Sequence, residues 1–425
     1  MIWIRNPPSH STSDWIPSRS HEPPTQNSMN ATALPIEPSV AHLKNAYSGR
    51  SFPEFDLKRL LHTVFHPKGG ERVAILIDLQ DTSHMKDYAF LADRTLFIQH
   101  HAYHRFFNQL RAGVMKELGF QSVALFAYTV TGGSNLDLPS ECVDADGHTL
   151  SLENDICAKH DLILCISTFS ATAPLTAFAK QYGFRGATMH GMNSTILATG
   201  LAVDYDDVSR QAEKLRLGMT KADAVEIDFS VAGQSATLRL ELGQQEAQKS
   251  HGLCRGGPDV ANLPAGEVYF IPTDAYGEFP MRYSDGTLGM LTVADCAIRS
   301  ARLISGNQAI IDDHNARLLA DPMIGKLGEL GFGTQELPPC GKDIQDEKIL
   351  GTLHVATGRS DHLGGSITPD LFVKRSNATH DDILFSSTKT PDIDVPQARL
   401  FRDGRCHVVI ERYGPSAYLK SLLAS

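Results

Sequence analysis

The sequence predicts a chain of two parts, an α/β domain with an open, mainly parallel sheet and then a mixed, strand-rich α+β domain. Two observations lead to this fold class. In the first half, short apolar runs alternate with amphipathic stretches, the pattern of buried parallel strands joined by helices. Beyond about residue 222 the apolar period shifts toward two and glycine turns become frequent, which is typical of antiparallel strands.

The first half contains helices and buried strands in alternation. Apolar residues at helical spacing predict a helix over 55–65, and the nearly continuous apolar run 72–79 predicts a strand buried on both faces. A long amphipathic stretch predicts a helix from about 88 to 118, and a shorter helix over 171–183 is expected to end at its glycine. Further strands are predicted over 121–130, 160–170 and 184–190.

The second half begins after a helix predicted over 203–219. Residues 223–242 predict a hairpin that turns near Ala232 and Gly233, and one more helix is predicted over about 306–320. Because 425 residues exceed the roughly 250–300 that one core supports, we expect two domains. We place the α/β domain over 46–210 and the strand-rich domain over 211–425.

The first residues differ in composition from the rest. Residues 1–45 begin with a stretch rich in Pro, Ser and Asn, which cannot bury enough apolar surface to order, so we expect a disordered tail. Met29 is a second candidate for the start of the chain.

Composition excludes several classes of function. The net charge of −10 leaves no basic surface for nucleic acid. The 7 cysteines are scattered without a CxxC pair, which suits a reducing compartment. No run approaches the roughly 18 apolar residues that span a bilayer, and the N-terminus lacks the apolar core of a secretion signal. We therefore expect a cytoplasmic protein with no membrane or nucleic-acid partner.

Four segments of the second half place an acid or a histidine beside glycine or other small residues. They are NLPAGEVYFIP (262–272), KLGELGFGT (326–334), ILGTLHVATG (349–358) and NATHDDILF (377–385). Carboxylates and neutral imidazoles are the ligands that hard or borderline divalent cations select. The segments offer five such side chains, a set that suits two cations better than one: Glu267, Glu329, His354, His380 and Asp382.

Each segment also has a plainer interpretation. On the plainer interpretation, Glu267 is a glutamate exposed to solvent, Glu329 is part of a glycine turn, and His354 is a histidine packed in the core of a strand. The HDD run at 380–382 is a surface loop or, if extended, a strand that presents His380 and Asp382 on one face about 7 Å apart. The joint appearance of the four segments favours a metal site in the domain over 211–425.

The four segments resemble those of the aminopeptidase T/aminopeptidase S family of two-metal exopeptidases. The family's ligands lie in a GEVF segment, a GE.G.GTN-like segment, a GT.H.A.G segment and a final His-x-Asp, and the likeness covers roughly residues 200–390 in the same order. The resemblance implies a homodimer that cleaves peptides or small molecules with two divalent ions, Zn, Co or Mn. It implies these ligands: Glu267, Glu329, His354, His380 and Asp382.

One position departs from the family pattern. Seven residues after the histidine of GT.H the family has a tyrosine, whereas this chain has Asp361, followed by His362. An aspartate beside cations would be ionised and could act as a ligand or a base. We assign catalytic roles to Glu267 and Glu329, which would bridge the ions or shuttle a proton. Asp361 or His362 would orient His354 or act on the leaving group.

Two other functions stay open. Ring-cleaving dioxygenases of the 2,5-dihydroxypyridine type resemble members of the same fold family, and they hold one Fe(II) with two histidines and an aspartate. His354, His380 and Asp382 could supply that set. A catalytically inactive relative is the other possibility. Metal stoichiometry separates the aminopeptidase from the dioxygenase, because hydrolysis requires about two ions per chain and ring cleavage requires one iron.

Overall fold

The computed structural model describes residues 50–424. The tail expected over 1–45 and the alternative start at Met29 lie outside this range. The described residues belong to one compact unit, so the domain boundary near residue 210 stays a prediction. Within this range, every helix is too short or too polar to cross a bilayer.

The helices lie close to their predicted positions. Asp56 begins the first one by accepting a hydrogen bond from the Arg59 backbone N–H at 3.0 Å, and Gly183, at φ 87°, ends the fourth as expected. The α-helices are α1 Leu57–Phe65, α2 Phe97–His101, α3 Met115–Glu117, α4 Thr172–Tyr182, α5 Ser194–Ala198, α6 Tyr205–Met219, α7 Gln308–Ala320, α8 Asp343–Asp346 and α9 Ala417–Ala424.

The long helix predicted from residue 88 begins later, at Phe97. Thr82–Ala92 is instead a 3-10 segment in which Asp87 and Tyr88 adopt positive φ values of 52° and 56°. A backbone in that conformation cannot continue an α-helix. After α2 the helix widens into π-type turns over Ala102–Phe107 and Leu110–Val114.

The four strands predicted in the first half lie close to their predicted positions, and two short strands, β3 and β4, were not predicted. The strands are β1 Arg72–Leu79, β2 Ser122–Thr129, β3 Glu141–Val143, β4 Thr149–Ser151, β5 Leu162–Cys165 and β6 Arg185–Thr188. The next strands are β7 Ala224–Val231, β8 Gln234–Glu241, β9 Gln248–Ser250, β10 Val260–Asn262, β11 Glu267–Phe270, β12 Asp274–Arg282, β13 Leu288–Ala294 and β14 Ala297–Ser305. The last are β15 Leu327–Gly333, β16 Leu353–Gly358, β17 His380–Phe385, β18 Ile393–Asp394, β19 Gln397–Arg402, β20 Arg405–Glu411 and β21 Gly414–Pro415.

The first sheet is mixed rather than purely parallel. Its seven strands lie in the order β10-β6-β5-β1-β2-β3-β4. Pairing is parallel from β10 to β2 and antiparallel across β3 and β4. Apolar side chains cover both faces of β1, with Val73 and Ile75 in one core and Ala74 and Leu76 in another. The near-continuous apolar run of this strand follows from that double burial.

Two antiparallel sheets form the rest. One has five strands in the order β17-β16-β15-β11-β9, and the other has nine, in the order β14-β13-β12-β8-β7-β19-β20-β21 with β18 beside β7. The β7–β8 hairpin turns at Ala232 and Gly233, both at positive φ, as the sequence predicts. One apolar core contains side chains from both sheets, so the two pack against each other.

Candidate metal centre

The structure brings all five predicted ligands to one face of the five-stranded sheet. Glu267 begins β11, Glu329 lies in β15, His354 lies in β16, and β17 carries His380 and Asp382. These four strands are direct neighbours. Their alternate residues, among them Val268, Leu330, Val355 and Phe385, enter the apolar core on the other face. The two-residue period of the strands therefore separates the polar set from the core.

The first cluster consists of Glu267, Glu329 and His354. The Nε2 atom of His354 lies 3.2 Å from Oε1 of Glu267 and 3.6 Å from Oε1 of Glu329. All three side chains are buried, with at most 5% of any of them exposed. Their ligand atoms lie within 4.8 Å of one another, which is close enough for one cation to contact all three.

The second cluster consists of Glu329, His380 and Asp382. The Nε2 atom of His380 lies 3.0 Å from Oε2 of Glu329 and 3.3 Å from Oδ1 of Asp382. The other ring nitrogen of His380 donates a hydrogen bond to the Arg359 carbonyl oxygen at 2.7 Å. That bond fixes the ring and directs Nε2 toward the carboxylates, as is usual for a metal-binding histidine.

Glu329 belongs to both clusters. Its Oε1 atom faces His354 and its Oε2 atom faces His380, so each oxygen serves a different cluster. Asp382 also links them, since its Oδ1 atom lies 3.8 Å from His354 Nε2. The arrangement resembles a pair of sites joined by one carboxylate.

Gly331 makes room for the first cluster. It lies opposite His354 in the β15–β16 ladder. A Cβ atom on Gly331 would lie 2.1 Å from Cε1 of His354 and 2.6 Å from Oε1 of Glu267. A side chain there would displace both groups, so the glycine of the GELGFG segment is needed for the close approach of the two groups.

Electrostatics explains how so many ionisable groups are buried together. Burial opposes the charged form of Glu267, but Lys348 and His354 outweigh it and hold the pKa of Glu267 well below its ordinary value. Burial lowers the pKa values of His354 and His380, but the neighbouring carboxylates raise both well above 6.5. The histidines are therefore protonated when no metal is bound, and a cation would replace those protons.

Two buried oxygen atoms indicate that the clusters fit cations. Oε1 of Glu267 and Oδ1 of Asp382 have no hydrogen-bond partner within residues 50–424. One of these oxygens belongs to each cluster. Each faces an imidazole nitrogen, at 3.2 Å and 3.3 Å, without hydrogen-bond geometry, and a buried carboxylate oxygen in that position is better satisfied by a cation. The donor set of carboxylate oxygens and imidazole nitrogens suits a divalent ion such as zinc or manganese.

Sequence reasoning missed the buried pair Glu347 and Lys348. The Lys348 ammonium group contacts Oε2 of Glu267 and lies 2.6 Å from Oε1 of Glu347. Burial raises the pKa of Glu347 to about 7. In the sequence both residues belong to the charged run DEK, which predicts solvated surface, so no local signal indicates their burial.

Asp361 and His362 are adjacent in the sequence, but their side chains have different surroundings. Asp361 is held by Arg359, whose Nε and Nη2 atoms lie 2.7 and 3.1 Å from its two oxygens. Among the described residues, the hydrogen bonds and ion pairs of its carboxylate join it to Arg359 and, at 3.9 Å, to His362. The ring of His362, in contrast, packs edge-on against His380 with centroids 5.1 Å apart. Burial lowers the pKa of His362 to about 4, so this imidazole is neutral at pH 7.

The clusters form one wall of a cavity of about 230 Å³. A second wall comes from the carboxyl ends of the parallel strands, where α/β sheets commonly bind ligands. It includes His190, which follows β6 and whose pKa burial lowers to about 4. His190 is missing from the predicted site, although its position at the carboxyl end of the strand predicted over 184–190 was a signal that could have identified it. Polar residues complete this wall: Ser134, Asn135, Ser170, Thr172 and Asn262.

Comparisons with known proteins identify a similar fold but no family. No family model matches the chain, and no curated protein matches it. Among solved structures, the chain is similar to the 2,5-dihydroxypyridine dioxygenase from Pseudomonas putida KT2440, with a TM-score of 0.54 and 14% sequence identity. The match covers 85% of this chain and 96% of the dioxygenase chain. At this identity the likeness establishes a shared fold.

Proposed function

We propose that this chain is a metal-dependent aminopeptidase that hydrolyses the N-terminal bond of peptides at two divalent cations, Zn, Co or Mn. The observation that carries the proposal is the position of Glu329 between two clusters, each with its own histidine and its own second carboxylate. Glu267 and His354 would hold one cation, His380 and Asp382 the other, and Glu329 would bridge them. Oε1 of Glu267 and Oδ1 of Asp382, which lack a hydrogen-bond partner among the described residues, support one cation in each cluster.

The protein's own side chains would carry out the proton transfers. Bound cations supply Lewis acidity and a water whose pKa falls from about 15.7 to about 7. Glu267 and Glu329 would serve mainly as ligands, so either carboxylate would accept a proton there only by releasing its contact with a cation. His362 is neutral and close to His380, so its ring nitrogen is available to take up a proton and pass it to the leaving amine.

The cavity limits the substrate. Its volume of about 230 Å³ and its polar lining favour a short or small substrate over a folded protein. His190 and the hydroxyl and amide groups of this second wall would contact the substrate beside the cation site. The resemblance to the exopeptidases also leads us to propose a homodimer, which sedimentation analysis would test.

A second function has specific support. The chain shares the fold of a 2,5-dihydroxypyridine dioxygenase over most of both lengths, and Asp361 replaces the tyrosine of the exopeptidase family. His354, His380 and Asp382 supply two imidazoles and one carboxylate, the set that holds Fe(II) in many non-haem oxygenases. The alternative is therefore an Fe(II)-dependent ring-cleaving dioxygenase.

Metal analysis of protein purified without chelator tests the proposal. About two zinc, cobalt or manganese ions per chain, with release of amino acids from short peptides, would support the aminopeptidase. One iron per chain, with oxygen consumed in the presence of 2,5-dihydroxypyridine, would contradict it and support the dioxygenase. Protein that neither contains nor binds a metal would indicate a catalytically inactive relative.

A further inference from the structure

Lys348 is a buried ammonium group directly behind the first cluster. It lies between α8 and β16, and only 2% of its side chain is exposed. The ammonium nitrogen contacts Oε2 of Glu267 and lies 2.6 Å from Oε1 of Glu347. A lysine removed from water in this way requires paired countercharges, and these two carboxylates supply them.

This contact divides the two oxygens of Glu267 between different partners. Oε2 is occupied by Lys348, while Oε1 faces His354 at 3.2 Å without a hydrogen bond. Glu267 therefore offers one oxygen to a cation, and a fixed positive charge lies behind it. The carboxylate of Asp382, in the second cluster, has ion pairs only with His380 and His354 in the part of the chain that the structure describes.

We propose that Lys348 makes the two cation sites unequal, so that the second cluster binds its cation first and the first cluster binds its cation more weakly. The inference rests on the proposed two-cation centre. In the metal-free protein Lys348 neutralises Glu267 in place of a metal. When a cation binds to the first cluster, it meets that fixed positive charge, and like charges in a buried site repel strongly.

A purely structural role for Lys348 predicts the opposite result. If the lysine served only to orient Glu267, its removal would weaken cation binding, as removal of a residue behind a metal ligand usually does. If the lysine opposes the second cation, its removal strengthens binding at the first cluster. The sign of the change in affinity therefore separates the two roles.

Calorimetric titration of the full chain with manganese chloride, after removal of metal by chelator and dialysis, provides the test. For the wild type we expect a tight step and a weaker step. For Lys348→Met and Lys348→Gln we expect the weaker step to tighten by about 10-fold or more, within the range for changes behind metal ligands. Lys249→Met is the matched control, since Lys249 lines the same cavity but pairs with Glu213, and it should leave both steps unchanged.

Several outcomes would overturn the inference. It fails if the weaker step is unchanged or weakened in the Lys348 variants, or if the wild type already has two equal steps. Lys348→Gln retains a hydrogen-bond donor and carries the test if Lys348→Met does not fold. Binding of one cation by the wild type and of two by Lys348→Gln would support the inference that Lys348 weakens the first site. A wild type that binds no cation would instead remove the proposed function.

Discussion

The two walls of the cavity differ in charge and in architecture. One wall is a set of ionisable groups on four adjacent antiparallel strands, and the other consists of neutral groups in loops after parallel strands. On the neutral wall, Asn135 accepts a hydrogen bond from the Ala173 backbone at 2.8 Å, and Thr172 and Thr188 share one at 2.7 Å. In the proposed function, the sheet would hold the cations and the loops would contact the substrate.

Loss of the shared carboxylate should have the largest effect. Glu329→Gln removes one charge from both clusters, so we expect both cations to be lost and turnover to fall by about 10³-fold or more. Metal content and peptide turnover measure this. Glu336→Gln, an exposed position in the next segment, is the matched control. Retention of two cations by Glu329→Gln would contradict the bridging role.

A methyl group at Gly331 should damage the charged wall without removing a ligand. The Cβ atom of Gly331→Ala would collide with His354 and Glu267. We expect the free energy of unfolding to fall by about 1–3 kcal/mol and the first cluster to lose its cation. Denaturant unfolding and metal analysis measure the two effects. Gly257→Ala, where a Cβ meets nothing within 4 Å, should change neither. Full metal content in Gly331→Ala would show that His354 and Glu267 can move aside and still bind the cation.

The neutral wall should respond to pH and leave metal content intact. The folded pKa of His190 is about 4, below the ordinary 6.5. Its neutral form thus stabilises the fold fully above pH 6.5, and this stabilisation is lost as the pH falls toward 4. Between these pH values the wild type should lose about 2 kcal/mol more stability than His190→Gln. Turnover of the variant should fall about tenfold.

Unfolding curves at several pH values and metal analysis check the His190 prediction. A loss of metal in His190→Gln would show that this residue belongs with the cations rather than with the substrate. Parallel pH profiles for the wild type and the variant would show that the buried imidazole is not the source of the pH dependence.

The smallest effect is expected at Asp361, whose carboxylate is held by Arg359. Because Arg359 occupies both oxygens of Asp361, we expect Asp361→Asn to change turnover by less than about threefold and to retain the cations. His362→Gln should reduce turnover by about a hundredfold if the neutral imidazole transfers a proton. Steady-state kinetics compares the two variants. A larger loss in Asp361→Asn than in His362→Gln would reverse this assignment.

Local patterns account for most of the fold and for the residues of the charged wall. Apolar periodicity places β1 and the β7–β8 hairpin at their observed residues, and strand alternation puts His380 beside Asp382. The spacing of ligands along the chain does not reveal which strands are neighbours, so the sequence left the bridging role open between Glu267 and Glu329, and the structure places Glu329 between the two clusters. Lys348 and Glu347 were missed because their burial depends on contacts with a distant strand rather than on nearby residues.

The ladder of β11, β15, β16 and β17 has a consequence for how this centre tolerates evolutionary change. Hydrogen bonds between adjacent strands set the separation of the ligands, and the connecting segments contact the ligands through a few residues, such as Lys348 beside Glu267 and Arg359 beside His380. Insertions or deletions elsewhere in those connections would leave the ligands in place, whereas a slip of one residue in any strand would turn its ligands into the apolar core. A search for distant relatives should therefore match the alternation of ligand and apolar residues within each strand and allow the lengths of the connecting segments to vary.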